Sequence, residues 1–170
     1  TGWGAYGTMT QYRYDYQKEI FNKWSASDPS ITLTHPTIFD NGEVKVFGSL
    51  RYYVPNTDRS KLQGVKQVSY YLDTVVKLPY GAELFNSFNP RIFANDTYRD
   101  YDTRMKVEDL TSYTRKIGSW GRYGIGQWTQ YEQHARTPQA WTVDLIPQLD
   151  VFIDGSKTFV GPRVYLPVLV

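Results

Sequence analysis

The sequence predicts an all-β fold, a closed antiparallel up-and-down barrel of about eight strands that spans a membrane. Three observations carry that expectation. Apolar and polar residues alternate with period two along most of the 170 residues, which puts one kind of side chain on each face of a strand. The alternating runs last about 11–13 residues, twice the common strand length. The polar parity also carries charges of both signs in mid-strand, while tyrosine and tryptophan number 15 and 5.

The strands follow in order. In residues 6–17, Tyr6, Thr8, Thr10, Tyr12, Tyr14 and Tyr16 oppose Gly7, Met9, Gln11, Arg13, Asp15 and Gln17. In residues 43–54, Val44, Val46, Gly48, Leu50, Tyr52 and Val54 oppose Glu43, Lys45, Phe47, Ser49, Arg51 and Tyr53. Residues 67–78 set Val68, Tyr70, Leu72, Thr74, Val76 and Leu78 against Gln67, Ser69, Asp73 and Lys77, and residues 83–94 set Leu84, Phe88, Ile92 and Ala94 against Glu83, Ser87, Asn89 and Arg91. Residues 103–114 and 119–132 alternate poorly and read as strands from their aromatic content and the turn Arg115-Lys116-Ile117-Gly118-Ser119. Residues 140–153 set Trp141, Val143, Leu145, Leu149, Val151 and Ile153 against Thr142, Asp144, Gln148 and Asp150. The last strand, 158–170, sets Val160, Val164, Leu166, Val168 and Val170 against Arg163 and Tyr165.

Tight turns are expected at 78–82, 116–119 and 154–157, the last from Asp154-Gly155-Ser156-Lys157. The connections 18–42 and 55–66 are long and polar, and 17–24 suits a short helix. Pro90, Pro147, Pro162 and Pro167 fall inside strands. Each removes a ladder donor, so those strands must bulge or break there. The tight turns after strands three, five and seven pose a topological problem. In an even-stranded barrel they lie on the outer side, where loops are usually long, unless the strand count is off by one early in the chain or the long connections face the periplasm.

Composition excludes several classes. Net charge is +2 with no basic block, so no nucleic-acid partner is expected. Without cysteine there is no disulfide framework, thiol chemistry or Cys-zinc site. No run of about 20 apolar residues offers a membrane helix, and the opening Thr1-Gly2-Trp3 lacks a leader's charged and apolar regions, which is expected either of a cytosolic protein or of an already mature one.

Alternation alone does not say which face is inside. A soluble barrel holds its apolar face in the core, whereas an outer-membrane barrel turns it to lipid. Eleven residues tilted about 45° cover about 25 Å, the height of the apolar band of a membrane barrel. On that reading Arg13, Asp15, Lys45, Arg51, Asp73, Lys77, Glu83, Arg91, Asp144, Asp150 and Arg163 line the interior, and Tyr12, Tyr14, Val46, Leu50, Tyr70, Leu72, Val76, Trp141, Val143, Leu145, Val164 and Leu166 face lipid. The segment Val44-Lys45-Val46-Phe47-Gly48-Ser49-Leu50-Arg51-Tyr52-Tyr53-Val54-Pro55, the strand 67–78 and Asn89-Pro90-Arg91-Ile92-Phe93 resemble the porin-like outer-membrane barrels of predatory bacteria. The resemblance covers residues 40–100, with Tyr12-Arg13-Tyr14-Asp15 in the same style. It implies a barrel of the bacterial outer membrane. The chain departs from the usual aromatic final residue of such barrels, ending on Val170.

No catalytic constellation stands out, and no enzyme activity or cofactor is expected. His35 and His134 are the only histidines, and Ser119 falls at the far end of His134's strand, out of reach for a triad. Asn95, Asp96, Asp100 and Asp102 lack the glycine turn of a calcium loop, and the glycines of 118–126 precede no Lys-Ser/Thr. The expected partners are membrane lipid and a homo-oligomer or another envelope protein. The expected role is a structural or interaction barrel, or a narrow charge-lined channel. Two alternatives stay open: a soluble barrel around an apolar ligand, and a self-assembling subunit of a tube, capsid or fibre.

Overall fold

In the computed structural model the described residues are 4–8, 11–13, 24–26, 29–55, 66–96, 102–152, 159–161 and 164–168. They form β1 (Gly4–Thr8), β2 (Gln11–Arg13), β3 (Trp24–Ala26), β4 (Ser30–Asp40), β5 (Val44–Tyr53), β6 (Lys66–Leu78), β7 (Ala82–Ala94), β8 (Thr103–Ile117), β9 (Gly121–His134), β10 (Ala140–Phe152), β11 (Phe159–Val160) and β12 (Leu166–Val168). A single 3₁₀ turn, Pro79–Gly81, joins β6 to β7.

One antiparallel up-and-down sheet takes in ten of these strands, in the order β1-β4-β5-β6-β7-β8-β9-β10, with β11 and β12 both on β10. Val151 faces Val160 and Val143 faces Val168, so β11 and β12 share one register and occupy one strand position. The up-and-down order follows from alternation and short turns, as expected. Closure does not: among the described residues no pairing joins β1 to β11 or β12, and the sheet is open.

The early chain departs most from the sequence reading. The expected strand 6–17 is not continuous. Gly4–Thr8 joins the main sheet against β4, whereas Gln11–Arg13 pairs with Trp24–Ala26 in a separate two-stranded sheet. Trp24, expected to end a helix, begins β3, and the rest of that helix lies outside the described residues. Within the supposed connection 18–42 lies β4, eleven residues long. Its alternation of Ser30, Thr32 and Thr34 with Ile31 and Leu33 was in the sequence, masked by His35-Pro36.

The hairpin joining β4 to β5 is closed by Asn41, whose Oδ1 accepts from the amides of Glu43 at 3.1 Å and Val44 at 2.7 Å. Gly42 follows at φ +91 with nothing within 4 Å of where a Cβ would sit. The cost of Gly42→Ala is therefore backbone strain alone. It is expected to lower stability by about 1 kcal/mol in denaturant titration, with no change in slope.

The extra strand shifts every later turn by one place in the strand count. The turns 41–43, 79–81 and 118–120 now lie at one end of the sheet, and the connections after β1, β5, β7 and β9 lie at the other. The turn 154–157 and most of the connection 55–66 fall outside the described residues.

Prolines interrupt the ladders where a missing donor must. The β6–β7 pairing skips from Ser69–Arg91 to Leu72–Phe88, passing Pro90. The strand beside β10 breaks between Val160 and Leu166, opposite Pro147. Instead of one strand over 158–170, two short pieces result.

Candidate functional site

Register decides which side chains share a face. Thr32, Arg51, Ser69, Arg91, Lys106 and Glu132 stand in one row from β4 to β9. Extended through the other rows, the same face holds Lys45, Asp73, Lys77, Glu83, Asp144 and Asp150. Eight of the charged residues expected to line an interior, Lys45, Arg51, Asp73, Lys77, Glu83, Arg91, Asp144 and Asp150, thus stand together. Asp15 and Arg163 lie outside the described residues, and Arg13 sits in β2, apart from the main sheet.

The opposite face carries Val46, Leu50, Tyr70, Leu72, Val76, Trp141, Val143, Leu145 and Leu166, all expected to face lipid. Val164 is exposed just before β12. Tyr12 sits in β2, apart from the main sheet, and Tyr14 lies outside the described residues.

A flat single-layer sheet would expose both faces alike. Here they differ, and in the direction opposite to a soluble core. Thr32 is 0%, Ser69 1% and Asp150 1% exposed, whereas Ile31 is 56% and Ile92 63% exposed. The charged face is the sheltered one.

At the long-connection end that face carries a belt of paired charges. Glu108 accepts from Arg91 and from Asn89 Nδ2 at 3.1 Å, and its other oxygen lies 3.1 Å from Lys106 Nζ. Lys106 also reaches Glu132 Oε1 at 3.2 Å, and Gln130 donates to that same oxygen at 2.8 Å. Arg51 extends the belt across β5. Its Nε donates to Thr32 at 3.2 Å, and its guanidinium stacks 4.8 Å from the Tyr71 ring centroid, a cation–π contact. Among the described residues the belt thus interleaves Arg51, Arg91 and Lys106 with Glu108 and Glu132.

Toward the tight-turn end a cavity of about 290 Å³ opens on the same face. Phe85, Leu110 and Ile146 give it an apolar floor, while Glu83, Arg122 and Gln148 supply polar walls. Arg122 is held by Asp150, Nε to Oδ2 at 2.7 Å. Tyr165 also lines the cavity and packs edge-on against Trp128, centroids 6.3 Å apart. Strands β7 to β10 and Tyr165, just before β12, thus line one space on the charged side of the sheet.

Sequence reading missed Thr32, Lys106, Glu108, Arg122 and Glu132. The signal for Lys106 and Glu108 was blurred by the neighbour Asp109, which breaks the alternation by pointing to the apolar face. There it forms a polar stripe with Asn86 and Thr111. Asn86 Nδ2 donates to Asp109 at 3.0 Å and to Thr111 at 2.9 Å. His134 ends β9, and Ser119 lies in the turn before that strand begins. Among the described residues no group of three acidic or histidine side chains is placed to hold a metal.

Protein-family models, curated proteins and solved structures yield no match to this chain.

Proposed function

We propose that the chain is a β-barrel of the bacterial outer membrane, whose charged face lines a narrow interior and whose apolar face meets lipid. The inverted exposure carries the reading: an exposed apolar face is costly in water and is what a bilayer accommodates. Two features support it. Tyr131 and Trp141 form an aromatic row near one end of the apolar face, rings 4.7 Å apart, and Tyr123 stands near the other end. Tyr131 and Tyr123 are eight positions apart on β9. That is about 26 Å along the strand and about 19 Å along the normal at a 45° tilt, which places both rings just inside the edges of an apolar band about 25 Å tall. Short turns at one end and long connections at the other are also the habit of such barrels.

In a bilayer no strand edge stays unpaired, so the proposal includes closure of the wall. β1 and the β11–β12 strand run in the same direction. Closing it takes either a parallel seam between them or one further antiparallel strand. With so few strands the interior holds its own side chains and at most one small ligand. The test is gel migration with and without boiling, after refolding in detergent and, separately, in plain buffer. A compact heat-modifiable band that needs detergent supports the barrel. A folded monodisperse protein in buffer alone overturns it.

One observation favours the assembling-subunit alternative. The Asn86–Asp109–Thr111 stripe puts a carboxylate in mid-strand on the apolar face, where lipid is a poor neighbour and a second protein surface a better one. Asp109→Asn keeps an acceptor for Asn86 and removes the charge. It is expected to raise the temperature of band conversion by about 3 °C, equivalent to about 1 kcal/mol. Loss of a higher-order band in mild detergent would instead assign the stripe to an interface between copies.

A further inference from the structure

We propose that the bulge in β4 is a lateral portal, through which a single-chain amphiphile with a zwitterionic head passes between the charged interior and the bilayer. The inference rests on the membrane reading above. β4 and β5 pair in step from Ser30–Tyr53 to His35–Gly48, then resume at Phe39–Val46. Three residues, Pro36, Thr37 and Ile38, therefore stand against Phe47 alone. Pro36 has no amide hydrogen to give the ladder. On its outer edge β4 is paired with β1 only over Ser30–Thr34, so the bulged stretch has a described strand neighbour on one side only.

A cavity opens on each side of the sheet at this point. On the charged side one of about 420 Å³ is lined by Thr34, Lys45, Phe47 and Asp73. On the apolar side one of about 280 Å³ is lined by Ile38, Leu50 and Tyr70. His35, Gly48 and Ser49 line both. The two spaces are thus separated by those three residues, in a wall one strand-layer thick. Gly48 keeps the neck open: a Cβ there would come within 3.0 Å of the Tyr70 hydroxyl and 3.2 Å of Ile38 Cδ1.

The two sides differ in chemistry, and that difference names the occupant. The outer cavity offers aliphatic and aromatic surface for an alkyl chain. The inner one presents an ammonium, Lys45, and a carboxylate, Asp73, to the opposite charges of a zwitterionic head. Both volumes lie near the range of small-molecule sites.

Because the chain has no cysteine, single thiols report access cleanly. Protein in phosphatidylcholine vesicles would carry Ser49→Cys, with Ser87→Cys on the charged face and Val68→Cys on the apolar face as controls. Each is treated with a charged water-soluble maleimide and, separately, with a maleimide on a lipid anchor. The portal predicts that position 49 reacts with both reagents, position 87 with the aqueous one and position 68 with the lipid-borne one. Dodecylphosphocholine below its micelle concentration is expected to slow both reactions at position 49 at least tenfold. Adding Gly48→Leu is expected to slow the lipid-borne one alone. Reaction of position 49 with the aqueous reagent only, with both controls as predicted, overturns the portal and leaves the membrane reading standing. Reaction of position 68 with the aqueous reagent, or with neither, overturns the membrane reading and the portal with it. Absence of protection by dodecylphosphocholine overturns the assignment of the occupant.

Discussion

Replacing Glu108 with leucine is expected to lower stability by about 3 kcal/mol, the scale seen when one partner of a sheltered ion pair is removed. Glu108 sits between two cations, Arg91 and Lys106, that oppose each other directly across β7 and β8. These side chains are only 12–24% exposed, so water does little to screen them. Without the carboxylate Lys106 keeps Glu132, whereas Arg91 faces a like charge. Denaturant titration of the refolded protein reads the loss. Removing the stranded cation as well, in Arg91→Leu with Glu108→Leu, is expected to recover most of it, because an apolar pair replaces an ion pair at little net cost. A double variant no better than the single one would mean that Glu108 acts through something other than charge pairing.

Gly124→Val is expected to destabilise by about 3 kcal/mol or to abolish the folded band. Gly124 lies in β9 between Thr114 of β8 and Gln148 of β10. A Cβ there would fall 2.4 Å from the carbonyl oxygen of Tyr113 and 2.9 Å from Thr114 Cγ2. A backbone carbonyl held in a ladder cannot retreat without breaking the ladder. Gly126, two residues on, is the control: its nearest neighbours would be 3.6 Å from a Cβ. Gly126→Ala is expected to change stability by less than about 0.5 kcal/mol. The contrast separates a steric need for glycine from mere flexibility in the strand.

Strands β5, β6, β7 and β10 were readable because each carries its own alternation. Asp73, Lys77, Glu83 and Arg91 reached one face for that reason alone. β8 and β9 alternate poorly for a physical cause. β8 places Lys106 and Glu108 on the sheltered face and Asp109 and Thr111 on the other, so polarity no longer marks parity. β4 was hidden by Pro36, which reads as a loop but here makes a bulge in an otherwise paired strand. The Asn41-Gly42 dipeptide two residues before β5 begins was the signal that a strand preceded it. The charge belt was half visible. Arg51 and Arg91 stood out as mid-strand cations, but pairing across strands 15 or more residues apart needs the register, which one sequence does not print. Open edges instead of closure likewise follow from pairings between distant segments.

The most direct test of the account asks which face of β6 meets lipid. Single nitroxide labels at positions 67 to 76, on protein in phosphatidylcholine bilayers, report collision with oxygen, which concentrates in hydrocarbon, and with a water-soluble nickel chelate. The account predicts that positions 68, 70, 72, 74 and 76 collide with oxygen, while 67, 69, 71, 73 and 75 are sheltered from it, with the nickel chelate following the opposite phase. Oxygen and nickel access both peaking at 69, 71, 73 and 75, with the even positions closed to both, would put the apolar face in a core and contradict the membrane barrel.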